Sequence, residues 1–106
     1  MNVIKVAYSR TIKSDSFWID GKESPRLTLK VGVTYTFEVN APGNPLYITT
    51  DELGGHEIDV DGIEGVENNG TDVGVVKFTP KESDRNRKLY YQSTKNRNIG
   101  YKIIVQ

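Results

Sequence analysis

The chain has 106 residues, 36% hydrophobic and 26% charged, and its 14 Lys and Arg balance its 14 Asp and Glu. That length supports one core, so a single domain over residues 1–106 is expected, and the zero net charge argues against a general nucleic-acid binder. The absence of cysteine excludes disulfides, zinc–thiolate sites, iron–sulfur clusters and thiol catalysis.

In chain order, Ile4, Val6 and Tyr8 alternate with Lys5 and Ala7, which predicts a first strand. Met1–Val6 shows no charged segment leading into a long apolar one, so no signal peptide is visible and synthesis in the cytoplasm is expected. No apolar run approaches the roughly 20 residues of a membrane helix, so no membrane partner is expected. Phe17-Trp18-Ile19 predicts a second strand, closed by the turn signal Asp20-Gly21. Leu27 and Leu29 form a third, and Gly32 breaks the run. Val33, Tyr35, Phe37 and Val39 then place four apolar residues on one face of the clearest half-buried strand.

Ala41-Pro42-Gly43-Asn44-Pro45 is a rigid loop, because proline fixes φ, and Leu46-Tyr47-Ile48 is a short strand. Residues 50–72 read as a long irregular excursion rich in Gly, Asp, Glu and Asn, with room for a short element at Glu57–Val60. Val73–Thr79 resumes alternation and Pro80 ends it. Lys81–Arg87 reads as a polar connection. Leu89–Gln92 and Tyr101–Val105 are the last strands. About eight short strands separated by turns predict an all-β sandwich or small barrel.

Three segments together carry a family resemblance. They are Pro25–Phe37 running on to Ala41–Ile48, then Gly65–Asp72 with the Val76–Pro80 strand, and finally Leu89-Tyr90-Tyr91-Gln92-Ser93, a six-residue loop and Gly100–Val105. This resembles the cupredoxin (plastocyanin/azurin-like) superfamily, especially compact members closing on L-Y-Y-x-C-x-x-H-x-x-M-G-G. The resemblance implies a cupredoxin-like Greek-key fold. It also implies that four copper-ligand positions are vestigial, with Asn44 and Asn96 at the histidine positions, Ser93 at the cysteine and Ile99 at the methionine. Blue copper needs a thiolate and two imidazoles, so no metal or other cofactor is expected here. Ser93 and Asn96 can hydrogen-bond each other or loop backbone, and Ile99 can fill the methionine volume.

Other chemistry is weaker. His56, the only histidine, follows Gly54-Gly55 and reads as a surface residue, and no nucleophile–base pair or G-x-S-x-G elbow is present, so no catalytic residue is assigned. Glu57, Asp59 and Asp61 alternate like a charge-guarded edge strand, and the calcium-loop template fails at Ile63. Asn69-Gly70-Thr71 reads as a turn. Trp18, Tyr35, Phe37, Tyr90 and Tyr91 read as core aromatics with tyrosine hydroxyls reaching the surface.

Ala41–Val75 holds eight acidic residues and no Lys or Arg, while Val76–Gln106 holds eight basic residues opposed by Glu82 and Asp84 alone. Within the basic half, Arg85, Arg87, Lys88, Lys95 and Arg97 are the candidate interaction surface. The expected function is a non-enzymatic structural or protein-interaction module whose partners are other protein subunits. The resemblance extends this to a minor capsid or decoration component of a virus particle. The alternative is a metal-binding or redox protein with a non-standard site.

Overall fold

Alternating apolar residues pair into strands wherever a glycine or proline does not intervene, and ten strands result among the described residues. The structure is a computed structural model that describes residues 2–10, 15–55 and 63–106. One mixed sheet combines β1 (Val3–Arg10), β2 (Asp15–Ile19), β3 (Lys22–Glu23), β5 (Tyr35–Asn40), β7 (Val66–Glu67) and β8 (Val73–Phe78), in the order β3-β2-β1-β5-β8-β7. The other combines β4 (Leu27–Leu29), β6 (Leu46–Thr49), β9 (Leu89–Ser93) and β10 (Tyr101–Val105), in the order β4-β10-β9-β6. β1 runs parallel to β5, and β4 parallel to β10; the other pairings are antiparallel. The all-β cupredoxin-like sandwich is therefore the fold.

The core forms where inward-facing residues of both sheets meet. Ile4, Val6, Phe17, Ile19, Phe37, Val39, Val76 and Phe78 come from the six-stranded sheet, and Leu29, Leu46, Ile48, Leu89, Tyr91, Ile103 and Val105 from the four-stranded one. β1, β5 and β10 keep the period-two pattern that assigned them. β6 and β9 depart from it: every residue of each is buried. Leu89 and Tyr91 face the core, while Gln92 on the opposite face donates from Nε2 to the Glu52 carbonyl at 2.9 Å, so residues after β6 cover that face.

Four expectations are corrected. The count is ten strands, because β3 and β7 are two-residue strands too short to show alternation. The strand expected from Val33 starts at Tyr35, because Gly32 sits at φ +80 in a turn where Val33 N–H donates to the Lys30 carbonyl. The polar connection contains a 3-10 helix, Glu82–Asn86, whose buried Asp84 carboxylate accepts from Lys81 N–H at 2.8 Å. The Tyr91 hydroxyl does not reach solvent: it donates inward to the Pro25 carbonyl, and the ring lies 6.4 Å from Phe17.

The exposed edge of β6 is also closed. Leu46 N–H donates to the Thr71 carbonyl and Gly70 N–H to the Leu46 carbonyl. The Asn69 side chain then continues the ladder, its Oδ1 accepting from Ile48 N–H at 2.8 Å and its Nδ2 donating to the Ile48 carbonyl at 3.1 Å. A carboxamide imitating a peptide group blunts an edge that would otherwise invite another strand. Asn69-Gly70-Thr71 thus serves as an edge clamp. His56, Glu57, Asp59 and Asp61, with any short element at Glu57–Val60, lie outside the described residues.

Burial pushes the Tyr91 phenol well above the ordinary tyrosine range, because phenolate cannot be solvated in the core. Tyr8 is raised by burial and by Asp15, and Tyr90 by burial and by Glu52. In all three the fold favours the neutral form, so their contribution is fully present below the unfolded pKa of about 10 and is lost as pH rises past it. Urea titrations across alkaline pH are expected to show constant stability up to about pH 10 and a fall above it. Tyr91→Phe should make that fall shallower, with Tyr8 and Tyr90 sustaining the remainder.

Candidate functional site

Asn44 enters the site from the rigid loop between β5 and β6. Its backbone N–H donates to the Ala41 carbonyl at 2.9 Å, and Gly43 N–H donates to Asp72 Oδ2 at 3.1 Å, so the loop is held at both ends of the turn. Asn44 is 4% exposed. Ser93 ends β9 and is fully buried, on the core-facing side two residues beyond Tyr91.

These two residues and Asn96 converge on one atom. Ser93 Oγ donates to Asn44 Oδ1 at 3.1 Å, and Asn96 Nδ2 donates to the same oxygen at 2.7 Å. Ser93 Oγ in turn accepts from the N–H groups of Lys95 (3.1 Å) and Asn96 (3.3 Å). The serine hydroxyl therefore uses its one donor and both acceptor positions. Sequence reasoning allowed Ser93 and Asn96 to bond each other. It also allowed bonds to loop backbone, and Ser93 Oγ accepts from the Lys95 and Asn96 N–H groups, while the two side chains meet through Asn44 as shared acceptor.

Ile99 is buried, and its backbone does as much as its side chain. Its N–H and that of Gly100 donate to Gln92 Oε1 at 3.1 and 2.9 Å. Its carbonyl accepts from Phe17 N–H at 2.8 Å and from Ser24 Oγ at 3.0 Å, which ties the loop to the six-stranded sheet. Gly55 N–H donates to the Ser93 carbonyl, Asn98 N–H to the Leu53 carbonyl and Thr94 N–H to the Pro45 carbonyl. Gln92 was read only as a strand residue. Its mid-strand carboxamide, buried where alternation offers no polar face, was the available signal of a structural role.

Gly100 closes the loop. A Cβ built there would sit 1.7 Å from the Tyr91 carbonyl oxygen and 2.7 Å from the Tyr91 ring, so only glycine fits between the loop and β9.

The five candidate surface residues do not form one patch. Arg85, Arg87 and Lys88 precede β9, whereas Lys95 and Arg97 follow it, and a five-residue strand spans about 17 Å. Arg97 instead bridges to Gly54 across the loop. Arg85, Arg87 and Lys88 line a groove of about 340 Å³ together with Tyr90 and Lys102, and Lys102 was not singled out in the sequence. Arg85 pairs with Glu82 at 2.8 Å and Arg87 approaches Asp84 at 3.6 Å. A second groove, about 580 Å³, lies on the outer face of the six-stranded sheet over Ala7, between Trp18 and Asn40.

The comparisons agree with this geometry at the level of the fold. The At5g54830-like domain family matches residues 5–106, and the chain belongs to that family. The solved structure of the copper protein rusticyanin is similar with a TM-score of 0.60 and 17% identity, over 100% of this chain and 79% of that one. At that identity the likeness speaks for the fold alone. No curated protein matches.

Asn44→Ala is expected to lower stability by about 1–3 kcal/mol, because it strands the buried Ser93 hydroxyl without its acceptor. Asn96→Ala, at an exposed position, should cost about 1 kcal/mol or less. Gly100→Ala should cost more than about 3 kcal/mol by forcing Tyr91 and the loop apart. Gly43→Ala, where φ is +84 and nothing lies within 4 Å of the new Cβ, should cost only about 1 kcal/mol. Urea denaturation of the four variants checks this ranking.

Proposed function

We propose that this domain is a non-enzymatic protein-interaction module, on a cupredoxin-like scaffold whose ligand loop is closed by hydrogen bonds in place of copper. One observation carries the reading: Asn44 Oδ1 accepts from both Ser93 and Asn96, at the positions where the resemblance puts a histidine, a cysteine and a second histidine. These residues do not fit the metal. A serine hydroxyl is neutral and hard where copper takes a soft thiolate, carboxamides are feeble ligands, and Ile99 offers no donor atom. The chain contains no cysteine and one histidine, so the thiolate and paired imidazoles of such a site are not in it. A metal entering between Asn44, Ser93 and Asn96 would also have to break four hydrogen bonds that meet there.

The non-enzymatic part of the reading is supported by the same inventory. Among the described residues no base is bonded to the serine at the heart of the cluster, and its hydroxyl proton is committed to a carboxamide. Neither the fold nor the family points to a virus particle. The interaction part is supported by the cationic groove at the far end of β9 from the loop.

The purified chain, titrated with Cu(II) and dialysed, is expected to show no intense visible thiolate-to-copper band and to retain no stoichiometric metal. Retention of one copper per chain would overturn the reading in favour of a metal protein with a non-standard site. Loss of that retention in an Asn44→Ala variant would then locate the metal at the loop.

A further inference from the structure

We infer that the groove on the outer face of β9 and β10 is a docking surface for an acidic peptide segment carrying an apolar anchor residue. This names the partner class of the interaction module proposed above and rests on that reading.

The groove is built by strand register. Lys102 of β10 lies opposite Tyr90 of β9, and Ile103 opposite Leu89, which brings Lys88 beside Ile104 on the same outward face. Arg85 of the 3-10 helix and Arg87 just after it supply the third side. Four cations thus surround the opening, with Glu52 as the single acidic residue in its lining among the described residues. Lys88 and Lys102 make no ion pair among the described residues, whereas Arg85 and Arg87 are partly neutralised by Glu82 and Asp84. The free positive charge is therefore concentrated in the two lysines, Lys102 on β10 and Lys88 just before β9.

Between them the floor is the outward-facing Ile104, 37% exposed, and Tyr90 forms part of the wall. This combination selects the occupant by charge complementarity and shape. A small oxyanion would gain little, because the cations stand around an apolar floor instead of converging on one point. A nucleic-acid backbone needs an extended excess of positive charge, and the chain as a whole carries none. A peptide that places carboxylates over Lys88 and Lys102 and seats an aromatic or aliphatic side chain on Ile104 uses both features.

The test is fluorescence anisotropy of the full chain with a labelled peptide of Glu and Asp residues around one Phe. A Lys-substituted peptide and a dT oligonucleotide serve as comparison probes. The acidic peptide is expected to bind and to weaken as salt rises. The double variant K88E/K102E should lose at least about tenfold in affinity, and the milder K88Q/K102Q should lose less, with circular dichroism unchanged. Reversing Lys95 and Arg97 at the opposite end should change nothing. Failure of the acidic peptide to bind, equal binding by K88E/K102E, an equal loss on reversing Lys95 and Arg97, or tighter binding of the oligonucleotide would each overturn the inference. Copper retention with peptide binding intact would overturn the copper-free reading alone, so the two failures are distinguishable.

Discussion

Gly100 lies so close to the Tyr91 carbonyl that no residue with a side chain can take its place, and much of the candidate site follows from that contact. It lets the chain leave β9, turn within a few residues and return as β10 with Tyr101 opposite Tyr91. Gln92 then fixes the return by accepting from two successive backbone N–H groups, while its own amide holds the segment that covers the sheet. Because the Ile99 carbonyl also accepts from Phe17 N–H, the same turn joins the two sheets. A hairpin loop at the rim of the sandwich thereby becomes a cross-brace of its interior.

That brace explains why the loop can keep its course with only neutral side chains meeting inside it. A metal–ligand bond would hold Asn44, Ser93 and Asn96 together far more strongly than hydrogen bonds, each of which contributes only about 1 kcal/mol net. The cluster does not have to hold the loop alone, however. Backbone bonds from Thr94 to Pro45, from Gly55 to Ser93 and from Asn98 to Leu53 carry the loop from outside. What the three side chains achieve is satisfaction: a fully buried serine and a nearly buried asparagine find partners where an orphaned polar atom would be costly.

The sequence made the strands legible wherever alternation ran for several residues, as in β1, β5 and β10. It could not show β3 or β7, since two residues have no period. It overextended β5 through Val33, where a valine on the strand's apparent face belongs to the Gly32 turn. Asn44, Ser93 and Asn96 were singled out through the spacing of the resembling family, and the structure brings the three together on one oxygen. Gln92 and Asn69 were not, because each works by imitating or capturing backbone groups, and only the place of Gln92 within an apolar strand hinted at that task. The basic residues were misjudged for a simpler reason. Lys88 and Lys95 are seven apart in sequence, yet an intervening strand sends them to opposite ends of the sheet.

The zero net charge now has a structural meaning. The acidic and basic halves of the chain partly cancel where the topology brings them together. Glu64 of the acidic half pairs with Lys81 of the basic half. Which charges stay uncancelled is therefore decided by strand register. Side chains alternate across a sheet with period two, so a slip of one residue in the β9–β10 pairing would turn Lys102 and Ile104 inward and Ile103 and Val105 outward. The register that prevents this is the one Gly100 and Gln92 impose at the turn. The closed loop and the cationic groove are thus two ends of a single hairpin, and the contact that shuts one end aims the lysine at the other.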